Sequence, residues 1–229
     1  MRKITFLAAC AAASAFSAPA MAADGDEGRL QVKVLATGVL PNGKIDKIKS
    51  VLPSVATALG ANPGTRANDN IVPTLAIEYY ATPNVSVETI CCFTSHHVTG
   101  TGSVAGANLV KHVMILPATV TVKYHLDAGP IRPYVGAGPA LFLVFDEKPG
   151  STARALGVTS VKMSNSLGLA LQGGVDVPLN PANSMGVTLD AKRYFMKPTA
   201  KFYAGSTLAL ETRHKLDPWV VSGGVYFRF

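Results

Sequence analysis

Cysteine is scarce in this sequence, and the positions of the few cysteines exclude a disulfide framework. Three cysteines occur among 229 residues, and the first, Cys10, lies in an apolar N-terminal stretch. The other two, Cys91 and Cys92, are neighbours, and adjacent cysteines seldom bond because the ring they would close is strained. No Cys-x-x-Cys or similar ligand spacing is present, so we expect neither a metal nor another cofactor.

Charged residues and long apolar runs are also scarce. Asp, Glu, Lys and Arg make up only 15% of the sequence, and the mean hydropathy is +0.26. Beyond the N-terminal stretch, no run approaches the ~18 apolar residues that a membrane-spanning helix needs. A chain with these properties has either a large soluble core or strands that turn one apolar face toward lipid.

The N-terminal residues have the three-part pattern of a secretory signal peptide. Two basic residues precede an apolar stretch from Ile4 to Phe16, and small residues follow as far as Ala22. We expect cleavage after residue 22, which leaves residues 23–229 as a single domain; an uncleaved anchor is the alternative. Cleavage removes two of 21 basic residues and none of 14 acidic ones, so the mature chain carries 19 − 14 = +5. For an exported chain we expect anionic lipid, not nucleic acid, as the partner of this charge.

Apolar and polar residues alternate with a period of two in eight segments, each long enough to cross a bilayer as a tilted strand. In the clearest segment Leu167, Leu169 and Leu171 alternate with small or polar residues. The predicted strands span residues 30–40, 71–81, 84–95, 112–125, 131–145, 163–178, 185–196 and 217–229. The sequence therefore predicts an all-β fold, an eight-stranded antiparallel transmembrane β-barrel.

The connections between these segments alternate between short and long. Turns rich in Pro, Asn and Gly lie at residues 82–84, 127–130 and 180–184, and long loops at about 41–70, 96–111, 146–162 and 197–216. Short periplasmic turns and long extracellular loops are typical of barrels in the bacterial outer membrane, which is the predicted location. In the first loop, Ile45, Ile48, Val51, Leu52 and Val55 have helical spacing that Pro53 interrupts, so a short helix and a disordered loop both remain open.

The last segment has the pattern of an assembly signal. Its predicted lipid-facing residues are Trp219, Val221, Gly223, Val225, Phe227 and Phe229. A terminal Phe preceded by apolar residues at every second position resembles the strand that the barrel assembly machinery recognises, and Trp219, Val221, Val225, Phe227 and Phe229 carry this resemblance. Trp219, Tyr226, Phe227 and Phe229 also suit the aromatic girdles of such barrels.

Two motifs resemble those of the OmpW family, which includes the AlkL-type alkane-uptake proteins. They are Arg132-Pro133-Tyr134-Val135-Gly136-Ala137-Gly138 and Leu216-Asp217-Pro218-Trp219-Val220, with weaker support from Leu116 to Thr119, Tyr124 and Tyr226 to Phe229. The resemblance implies a porin-like channel that passes small hydrophobic molecules inward through a narrow apolar passage, thought to open sideways into the membrane. Pro139-Ala140-Leu141 departs from the pattern, because an aromatic residue is more usual there, and this leaves the solute open.

The inward-facing residues of the predicted strands separate into two layers. The upper layer, a predicted substrate passage, consists of Leu35, Val39, Val72, Ile90, Val113, Ile115, Phe142, Val144, Tyr194, Met196 and Val220. The lower layer, a predicted charged plug, consists of Lys33, Glu78, Glu88, Lys123, Arg132, Asp176, Asp190, Lys192 and Arg228. Buried charges need partners, so four acids and five bases should pair and close the lower lumen. A hydrophobic solute would then leave through the wall.

Two prolines are candidates for that lateral exit. Pro117 and Pro139 fall on adjacent predicted strands at similar height, and each lacks the N–H that a strand ladder needs. The alternative is that each proline is accommodated at a bulge. Eight cationic residues in the long loops either bind lipopolysaccharide phosphates or are ordinary solvated charge: Lys44, Lys47, Lys49, Arg66, Lys197, Lys201, Arg213 and Lys215.

Two other functions remain as alternatives to hydrophobic uptake. A lipid A-modifying enzyme would need Ser, His and an acid within hydrogen-bond reach, and Ser95, His96, His97 and Glu88 are the local candidates. Ser95 and His96 face opposite sides of a strand, so we expect no catalytic site. A structural or adhesive barrel would have a charged interior throughout, without an apolar upper layer.

Overall fold

The computed structural model describes residues 28–229, so the predicted signal peptide and its cleavage site lie outside the described residues. In chain order the elements are β1 (Leu30–Leu40), β2 (Lys44–Val51), α1 (Pro53–Leu59), β3 (Pro63–Ala67), β4 (Asn70–Tyr80), β5 (Val85–Cys91), β6 (Thr94–Gly102), β7 (Asn108–His125), β8 (Arg132–Pro149), α2 (Ser151–Ala155), β9 (Ser160–Met163), β10 (Ser166–Pro178), β11 (Met185–Phe195), β12 (Thr199–Ala204), β13 (Thr207–Lys215) and β14 (Trp219–Arg228). Neither helix in this part of the chain has the length and apolar character of a bilayer-spanning helix.

Eight of the strands form a closed antiparallel barrel, which confirms the predicted fold. The order around the barrel is β1, β4, β5, β7, β8, β10, β11 and β14, and β14 pairs back onto β1. Val34, for example, pairs with Val225 on one side and with Leu75 on the other. Each predicted strand corresponds to one strand of the barrel, with one exception. Residues 84–95 divide into β5 and the start of β6, which pair with successive parts of β7.

The residues that alternate along the barrel strands face the outside of the barrel and its lumen in turn. On β10, Leu167 is 73% exposed and Leu169 and Leu171 also face outward, whereas Ala170 and Gln172 are buried in the lumen. Outward-facing aromatic residues lie toward both ends of the barrel, as in an outer-membrane barrel: Phe93, Phe195 and Trp219 at the long-loop end, and Tyr79, Tyr124, Phe227 and Phe229 at the short-turn end. Tyr226, which the sequence suggested for a girdle, is instead buried inside the barrel, because its position in the alternation points inward.

The long loops are folded, which the sequence did not predict. A second sheet stands above the barrel in the order β2-β13-β12-β9, and β3 pairs with β6 beside it. In the first loop, residues 44–51 form β2, and α1 begins only at Pro53. Proline is tolerated in the first turn of a helix, where its missing N–H has no intrahelical partner to lose. A helix across Ile45 to Val55 and a disordered loop were therefore both wrong for residues 44–51.

Candidate functional site

The upper lumen of the barrel is apolar. Of the eleven residues predicted for the passage, ten are buried, and Val144 is partly buried against the same cluster. Their partners include five residues that the sequence analysis did not assign to the passage, namely Cys92, Val110, Ala140, Ala170 and Leu216. Leu35 and Ile90 pack separately with Ala76.

A cavity of about 40 Å³ lies within this upper lumen. Its wall contains seven of the predicted passage residues, Val39, Ile90, Val113, Ile115, Phe142, Tyr194 and Val220, and also Cys92, His96, Pro117, Met163, Leu216 and Pro218. Tyr194 is buried in this wall, with its ring 5.2 Å from that of Phe142 and its hydroxyl 3.3 Å from Thr119 Oγ1.

A second apolar cavity of about 80 Å³ lies above the first, among the folded loops. It is lined by side chains from both sheets and from α1 and α2, including Val55, Leu59, Ala153, Phe202 and Leu210. The two cavities share Ala67, Val98, Met163 and Leu216 as lining residues. They therefore adjoin, and together they form an apolar region that runs from the loop layer into the barrel.

His214 is a polar exception in the wall of the loop cavity. Its Nε2 lies 2.7 Å from Thr212 Oγ1, and its Nδ1 lies 3.3 Å from Thr65 Oγ1. Because the Thr65 hydroxyl donates to the Gly43 carbonyl oxygen at 2.6 Å, it accepts from Nδ1–H, which assigns Nε2 as the acceptor. Burial lowers the pKa of His214, so the neutral ring is the form that this wall holds.

The lower lumen is filled by ion pairs. All nine residues predicted for the plug are buried inside the barrel. Glu78 pairs with Lys33 at 2.9 Å and with Lys123 at 2.8 Å, and Glu88 pairs with Lys123 and Lys192, each at 3.0 Å. These contacts join charges from five strands into one network across the lumen.

Asp190 and Asp176 extend this network to its edges. Lys192 lies 2.7 Å from Asp190, and Lys33 lies 3.3 Å from Asp176. At the short-turn end, Arg132 pairs with Asp127 at 3.2 Å and donates to the Pro83 carbonyl oxygen.

Neutral side chains that sequence reasoning missed complete the plug. Gln172 donates to Glu88 at 2.9 Å and to Asp190 at 2.6 Å, and the Tyr134 hydroxyl donates to Asp190 at 2.8 Å. Lys123 Nζ lies 3.7 Å from the centre of the Tyr134 ring. Only the inward position of Gln172 and Tyr134 in the alternation could have identified them, because neither carries a charge. Arg228, at the bottom, stacks on Tyr80 and donates to the Gly28 carbonyl oxygen.

The two prolines lie at two different breaks in the strand pairing, one on each side of β7. The pairing of β5 with β7 ends at Ile90–Thr119, and that of β6 begins at Thr94–Ile115, so Pro117 lies within the interruption, opposite Cys92. The pairing of β7 with β8 is interrupted between Thr119–Ala140 and Val122–Ala137, and Pro139 lies in that interval. Pro117 points into the lumen, whereas Pro139 points outward.

The candidate catalytic residues do not form a triad. Glu88 is engaged in the plug, whereas His96 contacts Thr94 Oγ1 at 2.9 Å and the Asn68 carbonyl oxygen at 2.8 Å. Ser95 and His97 are exposed, on the side of β6 opposite to His96. Residues 28–229 also contain no group of three or more His, Cys, Asp and Glu side chains that could hold a metal ion.

Comparison with known proteins agrees with this architecture. The model of the OmpW family matches residues 26–229. The chain belongs to the OmpW family. Outer membrane protein W of Vibrio cholerae is 30% identical over 220 residues, which cover 92% of this chain and 93% of that protein.

Two solved structures show the same fold. The outer-membrane protein OprG of Pseudomonas aeruginosa has a TM-score of 0.74 and 21% identity, and the match covers 90% of this chain and 98% of OprG. The outer-membrane protein AlkL, solved in DMPC bilayers, has a TM-score of 0.69 and 22% identity, with coverage of 93% and 95%. The protein is thus an OmpW-family barrel of the outer membrane, and its folded-loop end faces outward by the general topology of such barrels.

Proposed function

We propose that this OmpW-family barrel takes up small hydrophobic molecules passively, with entry through the folded loops and lateral exit into the membrane. The two adjoining apolar cavities above a floor of ion pairs are the observation that carries the proposal. A solute in the loop cavity has apolar side chains ahead of it as far as Tyr194 and Phe142.

The energetics favour apolar solutes at the top and oppose a straight path down. Apolar surface removed from water contributes about 25 cal/mol per Å², so a solute that buries ~200 Å² would gain about 5 kcal/mol. Passage past Glu78, Glu88 and their three lysine partners would separate buried charges, which costs several kcal/mol for each pair that is broken.

The seam between β7 and the β5/β6 pair is the exit that we propose. Pro117 and Cys92 both line the lumen cavity and lie opposite each other where the ladder is interrupted. Opening the wall at this point therefore breaks fewer interstrand hydrogen bonds than elsewhere. Pro139 marks the second interruption, which widens the loosely paired stretch around β7.

Uptake measurements test the transport proposal. Cells with the protein should take up an alkane or a small aromatic faster than cells without it, whereas uptake of a polar solute of similar size should be unchanged. Faster polar uptake with unchanged hydrophobic uptake would contradict the proposal. We propose transport without catalysis, so the purified protein should release no acyl chain from lipid A.

A reversible cross-link tests the exit. The register is the same on both sides of the seam and, continued through it, places Phe93 opposite Leu116. Residues opposite each other on neighbouring strands have the Cα separation that a disulfide requires. In a background of Cys91→Ala and Cys92→Ala, the Phe93→Cys/Leu116→Cys pair should block hydrophobic uptake when oxidised and restore it when reduced. A matched cross-link between Val34→Cys and Leu75→Cys, which are paired on β1 and β4, should have no effect. Equal uptake in both oxidised proteins would rule out this exit.

A further inference from the structure

The antiparallel pair β11 and β14 of the barrel continues into the pair β12 and β13 of the loop sheet without a change of register, so the four strands form one long hairpin. Arg193 pairs with Trp219 in the barrel, and Thr199 pairs with Arg213 in the loop sheet. Between them, backbone hydrogen bonds join His214 N to Pro198 O at 2.9 Å and Leu216 N to Met196 O at 3.3 Å. One outer face of this hairpin therefore extends from the lipid-facing wall to the solvent-facing side of the loop sheet.

Three lysines form a row across this face. The register places Lys197 opposite Lys215, because each lies between the two bonded positions. Lys215 in turn pairs with Lys44 on β2. All three side chains are exposed, and among residues 28–229 the carboxylate in ion-pair contact with the row is Asp217, 3.6 Å from Lys215. Within residues 28–229, neither Lys44 nor Lys197 has a carboxylate partner.

Such a row is unfavourable without a counter-charge. Like charges directly opposite on neighbouring strands are destabilising, and a pair outside the hydrogen-bonded positions, such as Lys197 and Lys215, has its backbones only ~4.5 Å apart. Two other cations of the loop sheet differ, because Arg213 pairs with Asp46 at 2.7 Å and Lys49 pairs with Glu211 at 3.2 Å.

The row also lies close to the height of the lipid headgroups. Below it, Arg193 faces outward between two girdle aromatics, 5.2 Å from the Trp219 ring and 5.9 Å from the Phe195 ring. Four residues of strand separate Arg193 from Lys197, which is about 13 Å along the strand and about 9 Å of height at a tilt of ~45°. The polar layer of one leaflet is roughly 5–7 Å deep, so with Arg193 at its inner margin the row stands just above its outer margin.

We propose that Lys44, Lys197 and Lys215, with Arg193 beneath them, form a binding site for the phosphate groups of a glycolipid of the outer leaflet. The acyl chains of that lipid lie against the apolar outer wall of β11 and β14, where Leu189 and Val221 are exposed. The phosphates supply the negative charge that Lys44 and Lys197 lack. This site lies on the outside of the barrel and is independent of transport through the lumen.

Titration of the purified protein in detergent tests the site, with lipid A as the probe and Trp219, the only tryptophan, as the fluorescent reporter. The Lys44→Gln/Lys197→Gln/Lys215→Gln variant should bind lipid A about 100-fold more weakly, the factor that corresponds to ~1 kcal/mol for each lysine. The matched variant Lys111→Gln/Lys148→Gln/Lys162→Gln removes the same charge from exposed positions at the same end of the molecule. It should bind lipid A as the unmodified protein does.

Two further arms use the unmodified protein and so do not depend on the folding of a variant. Lipid A without its phosphates should bind to the unmodified protein as weakly as intact lipid A binds to the Lys44→Gln/Lys197→Gln/Lys215→Gln variant. Inorganic phosphate at millimolar concentration should not displace phosphorylated lipid A, because it lacks the acyl chains. Equal weakening by both triple variants, tight binding of dephosphorylated lipid A, or displacement by free phosphate would each overturn the proposal.

Discussion

Small residues in the barrel wall make room for the large polar groups of the plug. A Cβ on Gly136 would lie 2.9 Å from Cγ of Lys123, and one on Gly174 would lie 2.4 Å from the Tyr134 hydroxyl. Gly136 of the Arg132–Gly138 motif therefore has a packing role, since it leaves space for the Lys123 side chain of β7, and Gly174 on β10 leaves space for Tyr134 of the motif. The motif was visible in the sequence, but the strand pairing that brings Lys123 and Gly174 against it was not.

Glu88 gives the sharpest prediction for a single side chain. The substitution Glu88→Gln preserves its shape but removes one of two buried carboxylate partners from both Lys123 and Lys192, which keep only Glu78 and Asp190 respectively. We expect it to lower the free energy of unfolding by about 3–5 kcal/mol, measured by urea unfolding from lipid vesicles with Trp219 fluorescence.

The matched control is Glu211→Gln in the loop sheet. Glu211 pairs with Lys49 and Lys201, whose side chains are 39% and 44% exposed, and such pairs contribute at most ~1 kcal/mol. An equally small effect of Glu88→Gln would show that the plug does not depend on its ion pairs.

Among the elements, the barrel strands were predictable and the loop strands were not. In a barrel strand that lies between lipid and lumen, lipid-facing and lumen-facing residues must alternate, and the sequences of β4, β10 and β14 show this alternation. β2, by contrast, reads Lys44-Ile45-Asp46-Lys47-Ile48-Lys49-Ser50-Val51, whose apolar residues are three apart and imitate a helix. Bulges in its pairing with β13 accommodate that spacing, and no local pattern reports a bulge. The inward positions of the lumen residues thus follow from the alternation in sequence, whereas the lining of the loop cavity does not.

The loop sheet should loosen in mildly acidic solution. Because burial lowers the pKa of His214 in the folded protein, the folded state resists protonation more than the unfolded segment does. The stabilisation is complete above the unfolded pKa of about 6.5 and is lost as the pH falls below it. Hydrogen exchange should show weaker protection of β12 and β13 at pH 5 than at pH 7.5.

The variant His214→Gln is the control for this effect, since it removes the titrating group. It should make the protection of β12 and β13 independent of pH across this range. If the unmodified protein and the variant respond alike to acid, another group is responsible.

As a whole, the interior of the molecule is apolar at the outward end and closed by ion pairs at the other. A lumen of eight strands is narrow enough for side chains to fill, and here the ion-pair network fills its lower half. We therefore expect the intact protein in planar bilayers to show no steady ion conductance. The same preparation must transport a hydrophobic solute, so that inactive protein is not mistaken for a closed lumen; steady conductance would contradict a filled lower lumen.

The pairing of β1 with β14 also constrains how the barrel comes into being. Val34 and Val225 are neighbours in space but 225 − 34 = 191 positions apart in the chain. Contacts between such distant residues make folding slow, and until the last strand arrives both terminal strands have unpaired edges that can pair with other chains. The barrel therefore cannot close before the C-terminal strand has been synthesised. Loss of that strand alone would leave seven strands in an open sheet, with β1 and β11 unpaired at its two edges.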